Sequence, residues 1–143
     1  MANRKKLKQL IALHEGLKLT PYRCPSNKLT IGYGRNLEDN GILKSEADLM
    51  MANDIDAAEH ELAANVPCYQ SLCQVRKAVL IDMSYNMGWP TLSKFKRFFA
   101  ALNDENYSEA AAEMLDSRWA DQVKIRAVRL ALMMDTGQWP EDL

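Results

Sequence analysis

One change of period constrains this chain more than any other feature. On either side of Pro25-Ser26-Asn27 the residues alternate, and Leu29, Ile31 and Tyr33 fall on one face with Lys28, Thr30 and Gly32 on the other. Elsewhere the apolar residues recur at spacings of three and four, the period of helices. Pro-Ser-Asn is turn chemistry, so the stretch predicts a β-hairpin with a three-residue loop. A single hairpin within a helical chain points to an α+β fold, mostly α. With the loop at 25–27, Cys24 pairs with Lys28 and Tyr22 with Thr30. Cys24 and Thr30 then become diagonal neighbours on one face, about 7 Å apart. Gly32 beside Thr30 leaves that face open to a ligand.

Before the hairpin, Leu7, Leu10 and Ile11 predict an amphipathic helix over 4–14, stopped by Gly16. Glu15 falls at the negative end of that helix's dipole, where a carboxylate is disfavoured. A surface glutamate and an acid kept protonated for a purpose are both compatible with that position. After the hairpin, Glu38-Asp39-Asn40-Gly41 reads as a turn and Ser45-Glu46-Ala47-Asp48 as a capping box. The box opens a helix to about Asn65 with the stripe Met51, Ile55, Ala58, Leu62, Val66. One narrow stripe on a long helix suits a connector between two lobes. Residues 73–87 predict a buried helix ended by Gly88, with shorter helices at 92–102 and 108–115 and a last one at 122–134. Trp89, Trp119 and Trp139 read as packing.

With 143 residues the chain has the size of one domain, 1–143. The organisation expected is a small β-containing lobe over about 15–50, a connecting helix over about 45–65 and a helical lobe over about 66–143. Residues 38–65 hold eight of the 19 acids and only Lys44 among the 18 bases, so the remainder is basic. That balance suits an anionic polymer, although a solvated charged face has the same composition. Nucleic acid is disfavoured, because the bases are not interleaved with aromatics and no binding motif is present. Three cysteines without a Cys-x-x-Cys pair and only two histidines, His14 and His60, predict no metal, no cofactor and no disulfide framework. The apolar run Leu10–Leu13 is too short for a signal peptide, and no stretch has transmembrane length. The expected location is the cytoplasm, with no direct membrane insertion.

The spacing Glu15, eight residues, Cys24, five residues, Thr30 resembles the catalytic signature of the phage-type lysozymes, the endolysins of glycoside hydrolase family 24. Glu15-Gly16-Leu17, Tyr22 and Thr30-Ile31-Gly32-Tyr33-Gly34 fit around it. Further matches run in order through Asn40-Gly41, Asp54-Ile55-Asp56-Ala57-Ala58, Tyr85-Asn86-Met87-Gly88, Ser117-Arg118-Trp119, Arg126-Ala127 and Thr136-Gly137-Gln138-Trp139. The longest members of that family carry additional residues where this chain runs from Arg35 to Asn40, which implies a trimmed small lobe.

The resemblance implies a two-lobed lysozyme-like fold, with the N-terminal helix packed near a cleft between the lobes. It implies hydrolysis of the β-1,4 bond between N-acetylmuramic acid and N-acetylglucosamine in peptidoglycan, for host cell lysis. Glu15 would be the general acid, with Arg126 at the family's arginine facing it. Cys24 stands where many relatives have aspartate, and three roles are open to it: weak base for a water held by Thr30, covalent nucleophile, or neutral spacer. The first is the reading adopted. Arg35 stands where the family often has histidine, and an Arg35–Asp54 ion pair is expected. Tyr85 and Asn36 are substrate-contact candidates, and Asp82 is expected to meet a basic or polar partner. A monomer is expected, released to the wall by a separate holin-type protein. The alternatives are a lytic transglycosylase, which needs no water, and an inactive wall-binding or phage structural domain.

Overall fold

The computed structural model describes residues 3–143. It is mostly helical with one small antiparallel sheet, as the hairpin-within-helices pattern predicts. The chain divides into two compact units, with the boundary between Met50 and Met51. Among the described residues no helix is long and apolar enough to cross a membrane.

The first unit opens with α1, Arg4–Glu15, whose N-terminus is capped by the Asn3 carboxamide accepting from the Lys6 amide at 3.1 Å. Gly16 ends it at φ 71°, its N–H donating to Ala12 at 2.9 Å. Strands β1 (Lys18–Arg23), β2 (Leu29–Gly32) and β3 (Arg35–Asn36) pair in chain order. Tyr22 faces Thr30 and Arg23 faces Leu29, the register read from the sequence. Further from the turn a bulge shifts the register between Lys18 and Tyr22, which alternation alone does not reveal.

A short helix, α2 (Leu37–Asn40), stands where a turn is predicted, and it is built by Asn36. The Asn36 Oδ1 accepts from the Asp39 amide at 3.0 Å and its Nδ2 donates to the Asp39 carboxylate at 2.9 Å. The long helix α3, Lys44–Asn65, starts one residue before Ser45, and the capping acid is Glu46 rather than Asp48. Glu46 Oε1 reaches back to the Leu43 N–H at 2.7 Å, the reciprocal half of a capping box, while Asp48 pairs with Lys44 at 2.7 Å.

The second unit contains the core. Leu62 and Val66 at the end of α3, Tyr69 in a 3-10 turn (Tyr69–Ser71), and Val79, Leu80 and Met83 of α4 (Gln74–Met87) are buried together. Leu92 of α5 (Trp89–Leu92), Phe98 and Leu102 of α6 (Lys96–Asn103) and Met114 of α7 (Tyr107–Leu115) join them. The helix predicted at 122–134 is α9 (Ile125–Thr136); its first two residues belong instead to a separate, unpredicted helix α8 (Arg118–Val123), the two being broken at Lys124 with φ 51°. Two contacts fix α8 separately: Ser117 Oγ caps the Ala120 N–H at 3.1 Å, and the Trp119 indole donates to Asn86 at 2.7 Å. Trp119 is buried, as expected of a packing residue, whereas Trp139 is half exposed.

Arg76 of α4 closes the end of α9. Its guanidinium donates to the carbonyls of Met134 at 2.8 Å and Asp135 at 3.0 Å while lying 3.6 Å above the Tyr107 ring. It thereby satisfies carbonyls that have no partner within the helix.

Candidate active site

Glu15 is the last residue of α1 and is solvent-exposed, and its position is set by two glycines. Gly16 stops the helix, and Gly34 gives the carboxylate room. A Cβ at Gly34 would stand 2.8 Å from Glu15 Oε2, closer than real Cβ contacts allow, and Gly34 has φ 82° besides. The Thr-Ile-Gly-Tyr-Gly run therefore ends in a residue that cannot carry a side chain without displacing Glu15. That relationship went unread in the sequence, although the run's second glycine is its visible signal.

Cys24 and Thr30 are brought together on the hairpin. Cys24 opens the loop, its carbonyl accepting from the Asn27 N–H at 2.8 Å and its N–H donating to Lys28 at 3.0 Å. Asn27 completes the turn at φ 60°, a conformation that asparagine tolerates better than most residues. The Lys28 N–H, aimed at the sulfur, is the main reason the Cys24 thiol is pushed below its ordinary pKa. Partial burial opposes this, and the Ser26 N–H, the Thr30 hydroxyl and the Cys24 N–H add smaller lowering contributions. With Tyr22 opposite Thr30 and Cys24 opposite Lys28, Cys24 and Thr30 are diagonal neighbours on one face of the hairpin. Thr30 is buried and donates to the Lys28 carbonyl at 2.8 Å, which leaves its oxygen lone pairs as acceptors.

Acids on α2 hold the hairpin tip. Arg23 meets Glu38 at 2.7 Å, and Lys28 meets Asp39 at 3.2 Å and Glu38 at 3.6 Å. These pairs are exposed and individually weak, but together they fix the strand that carries Thr30. Asn36 has its carboxamide engaged in capping α2, as described above. Arg35 does not pair with Asp54. Its Nη1 and Nη2 donate to the two carboxylate oxygens of Glu46, each at 2.8 Å, and Nη1 also donates to Gly41 O at 3.2 Å. Glu46 lies in the first turn of α3 and saturates the guanidinium fork, whereas Asp54 stands eight positions further along the helix.

In the second unit the structure gathers Tyr85, Asp82 and Arg126. They line a cavity of about 390 Å³ with Met51, Ile55 and Ile81. Arg126 Nε donates to Asp82 Oδ1 at 2.8 Å, which supplies the basic partner expected for Asp82. Tyr85, 48% exposed, also borders a neighbouring cavity with Asp54, Glu61 and Trp89. An aromatic ring flanked by carboxylates and a guanidinium is the kind of surface on which sugars stack and hydrogen-bond.

Comparison with known proteins identifies the family. The family model described as phage lysozyme matches residues 12–131. The chain is 26% identical to a probable T4-type lysozyme 1 of Dictyostelium discoideum, over 92% of this chain and 94% of that protein. That alignment runs to 160 positions, more than the 143 residues here, so the relative carries segments this chain lacks. An endolysin of Acyrthosiphon pisum secondary endosymbiont phage 1 is 28% identical over 86% of this chain and 82% of its own length. The pre-baseplate central spike protein Gp5 of Enterobacteria phage T4 is 26% identical over 73% of this chain, but only 19% of that protein is covered. The α+β architecture, the Glu15–Cys24–Thr30 spacing on one helix end and one hairpin, and the family match over most of the chain agree: this chain belongs to the phage lysozyme family and is a lysozyme.

Proposed function

We propose that this lysozyme hydrolyses the β-1,4 bond between N-acetylmuramic acid and N-acetylglucosamine of peptidoglycan, with Glu15 as general acid. The observation that carries the reading is the setting of Glu15. Glu15 is the last residue of α1, and Gly34, which has no side chain, leaves the space its carboxylate occupies, so helix end and glycine together position the group to reach a leaving oxygen. Cys24 and Thr30 handle the water. The thiol, lowered by the Lys28 N–H, supplies more thiolate at neutral pH than a free cysteine does. In this scheme the thiolate takes a proton from a water held by Thr30, that water bonds to the anomeric carbon, and Glu15 protonates the departing oxygen. The product is inverted at the anomeric carbon. Tyr85, Arg126 and Asn36 contact the glycan. The enzyme acts as a monomer for host cell lysis, passing from the host cytoplasm to the wall through the membrane opened by a separate holin-type protein.

The test is loss of turbidity in wall suspensions with Glu15→Gln, combined with mass and anomer analysis of the released muropeptides. Reducing ends carrying one added water support hydrolysis, and anhydro-muramic ends identify a transglycosylase instead. The similarity to a baseplate spike protein favours a second reading, in which the domain serves in a phage particle. Wall suspensions unaffected by the wild-type chain would select that reading.

A further inference from the structure

We propose that Glu38 is a positioning residue for the Cys24–Thr30 pair, acting through Arg23, Lys28 and Leu29; its consequence for the reaction rests on the reading of Cys24 and Thr30 given above. Every contact involved lies within the first unit. Arg23 and Leu29 face each other across β1 and β2, in the rung that Cys24 and Thr30 flank diagonally. Glu38 Oε1 ties that rung together. It accepts from Arg23 Nη1 at 2.7 Å and, at the longer distance of 3.5 Å, from the Leu29 N–H. β3 pairs with Thr30 and Ile31, and at the next position toward the turn this side-chain oxygen of α2 takes the Leu29 N–H in place of a strand.

The Leu29 N–H belongs to the same planar peptide as the Lys28 carbonyl. That carbonyl accepts from the Cys24 N–H at 3.0 Å and from the Thr30 hydroxyl at 2.8 Å. One peptide plane is thus held by Glu38 at its N–H end and orients both functional residues at its carbonyl end. The rest of the carboxylate's contacts brace the same loop. The Lys28 ammonium lies 3.6 Å from Glu38 Oε2, and Arg23 Nη1 also donates to the Asn27 carbonyl at 3.3 Å. The Lys28 backbone is the largest of the influences that lower the Cys24 thiol, so the thiol is sensitive to where this loop stands. As a bare charge Glu38 would act the other way, because a carboxylate near a thiol disfavours the thiolate. Position and charge therefore predict opposite shifts when Glu38 is removed.

The test compares three variants of the full chain. Glu38→Gln removes the charge and keeps an acceptor oxygen at the same reach, Glu38→Asp keeps the charge and falls one methylene short, and Glu38→Ala removes both. Alkylation of Cys24 by iodoacetamide is followed against pH by peptide mass mapping, after thermal melting has shown each variant to be folded. Glu38→Ala is expected to raise the pH midpoint of Cys24 alkylation and to slow the reaction about threefold at pH 7. On wall suspensions kcat should fall about tenfold with KM within about twofold of wild type. Glu38→Asp should move both readings in the same direction, and Glu38→Gln should leave them close to wild type. A midpoint unchanged or lowered in both Glu38→Ala and Glu38→Asp, or raised as far by Glu38→Gln as by Glu38→Ala, would overturn the proposal. A raised midpoint with activity unchanged supports the positioning and takes the thiol out of the reaction, so the two readings fail separately.

Discussion

Arg35 and Glu46 meet fork to fork, two guanidinium nitrogens on two carboxylate oxygens at 2.8 Å each. Glu46 also accepts the Leu43 N–H, so one carboxylate joins the strand end to the start of α3. These contacts, with the Arg35 hydrogen bonds first, then the Leu43 N–H and the Arg35 charge, hold the Glu46 carboxyl below its ordinary pKa against a smaller opposing effect of burial. A depressed carboxyl adds stability above its unfolded pKa and loses it as pH falls through the folded value. Wild type is therefore expected to melt above Glu46→Gln at pH 7, with the gap closing as pH falls below about 4.3. A difference between wild type and Glu46→Gln that persists at pH 2 would contradict the linkage.

Gly34 is expected to act on the reaction through Glu15. In Gly34→Ala the new methyl group must displace the carboxylate, because the distance available is 2.8 Å. Activity on wall suspensions should fall at least tenfold, carried by kcat rather than KM. The left-handed backbone adds about 1–2 kcal/mol of destabilisation. Gly41→Ala, also at positive φ but with open space around it, should cost comparable stability and spare activity.

The cysteines should be chemically distinct. Cys24 is pushed down by the Lys28 N–H, whereas burial pushes Cys68 up. At neutral pH iodoacetamide is expected to alkylate Cys24 well before Cys68, as read by peptide mass mapping. If the Cys24 thiolate is the base, alkylation and Cys24→Ala should each remove most activity, and Cys24→Asp should retain it. Full activity in Cys24→Ala would take the thiol out of the reaction.

For Asn36, a cap and a substrate contact make different predictions. Asn36→Ala removes the acceptor for the Asp39 N–H and should cost about 1 kcal/mol in urea unfolding, while Asn36→Ser restores the cap without placing a second carboxylate against Asp39. If Asn36 also binds glycan through its amide, Asn36→Ser should raise KM while keeping most of the stability that Asn36→Ala loses.

In the second unit, Leu80→Ala should cost about 2–5 kcal/mol, because Leu80 is fully buried in the core. Val128→Ala on the exposed side of α9 should cost far less.

Where the signal was local, the sequence was readable. The hairpin register followed from alternation around Pro25-Ser26-Asn27, and the Glu15–Cys24–Thr30 spacing carried the resemblance that the family match supports. The ends of α1 and α4 agree with the sequence reading to within a residue because Gly16 and Gly88 mark them, and the start of α3 does so although its capping acid is Glu46 and not Asp48. What escaped depended on competition between partners. Glu46 follows Leu43 by three and Asp48 follows Lys44 by four, and only folding shows that Glu46 takes both the cap and Arg35 while Asp48 turns to Lys44. The break at Lys124 has no glycine or proline to announce it, and Trp119 bonding to Asn86 across 33 positions has no local signature. Glu15 against Gly34 is likewise a contact between distant positions.

Arg76 grips carbonyls that lie 58 and 59 positions further along the chain. Ala127, Leu130 and Met134 of α9 belong to the core that Arg76's own helix helps to form. During synthesis, then, α4 leaves the ribosome long before its closing partner exists, and its apolar face must wait several seconds or more for α9. The helical unit is completed late, so a nascent chain cannot yet hold Tyr85 and Arg126 together. Translation itself thus imposes a delay before the helical unit of this lysozyme is complete.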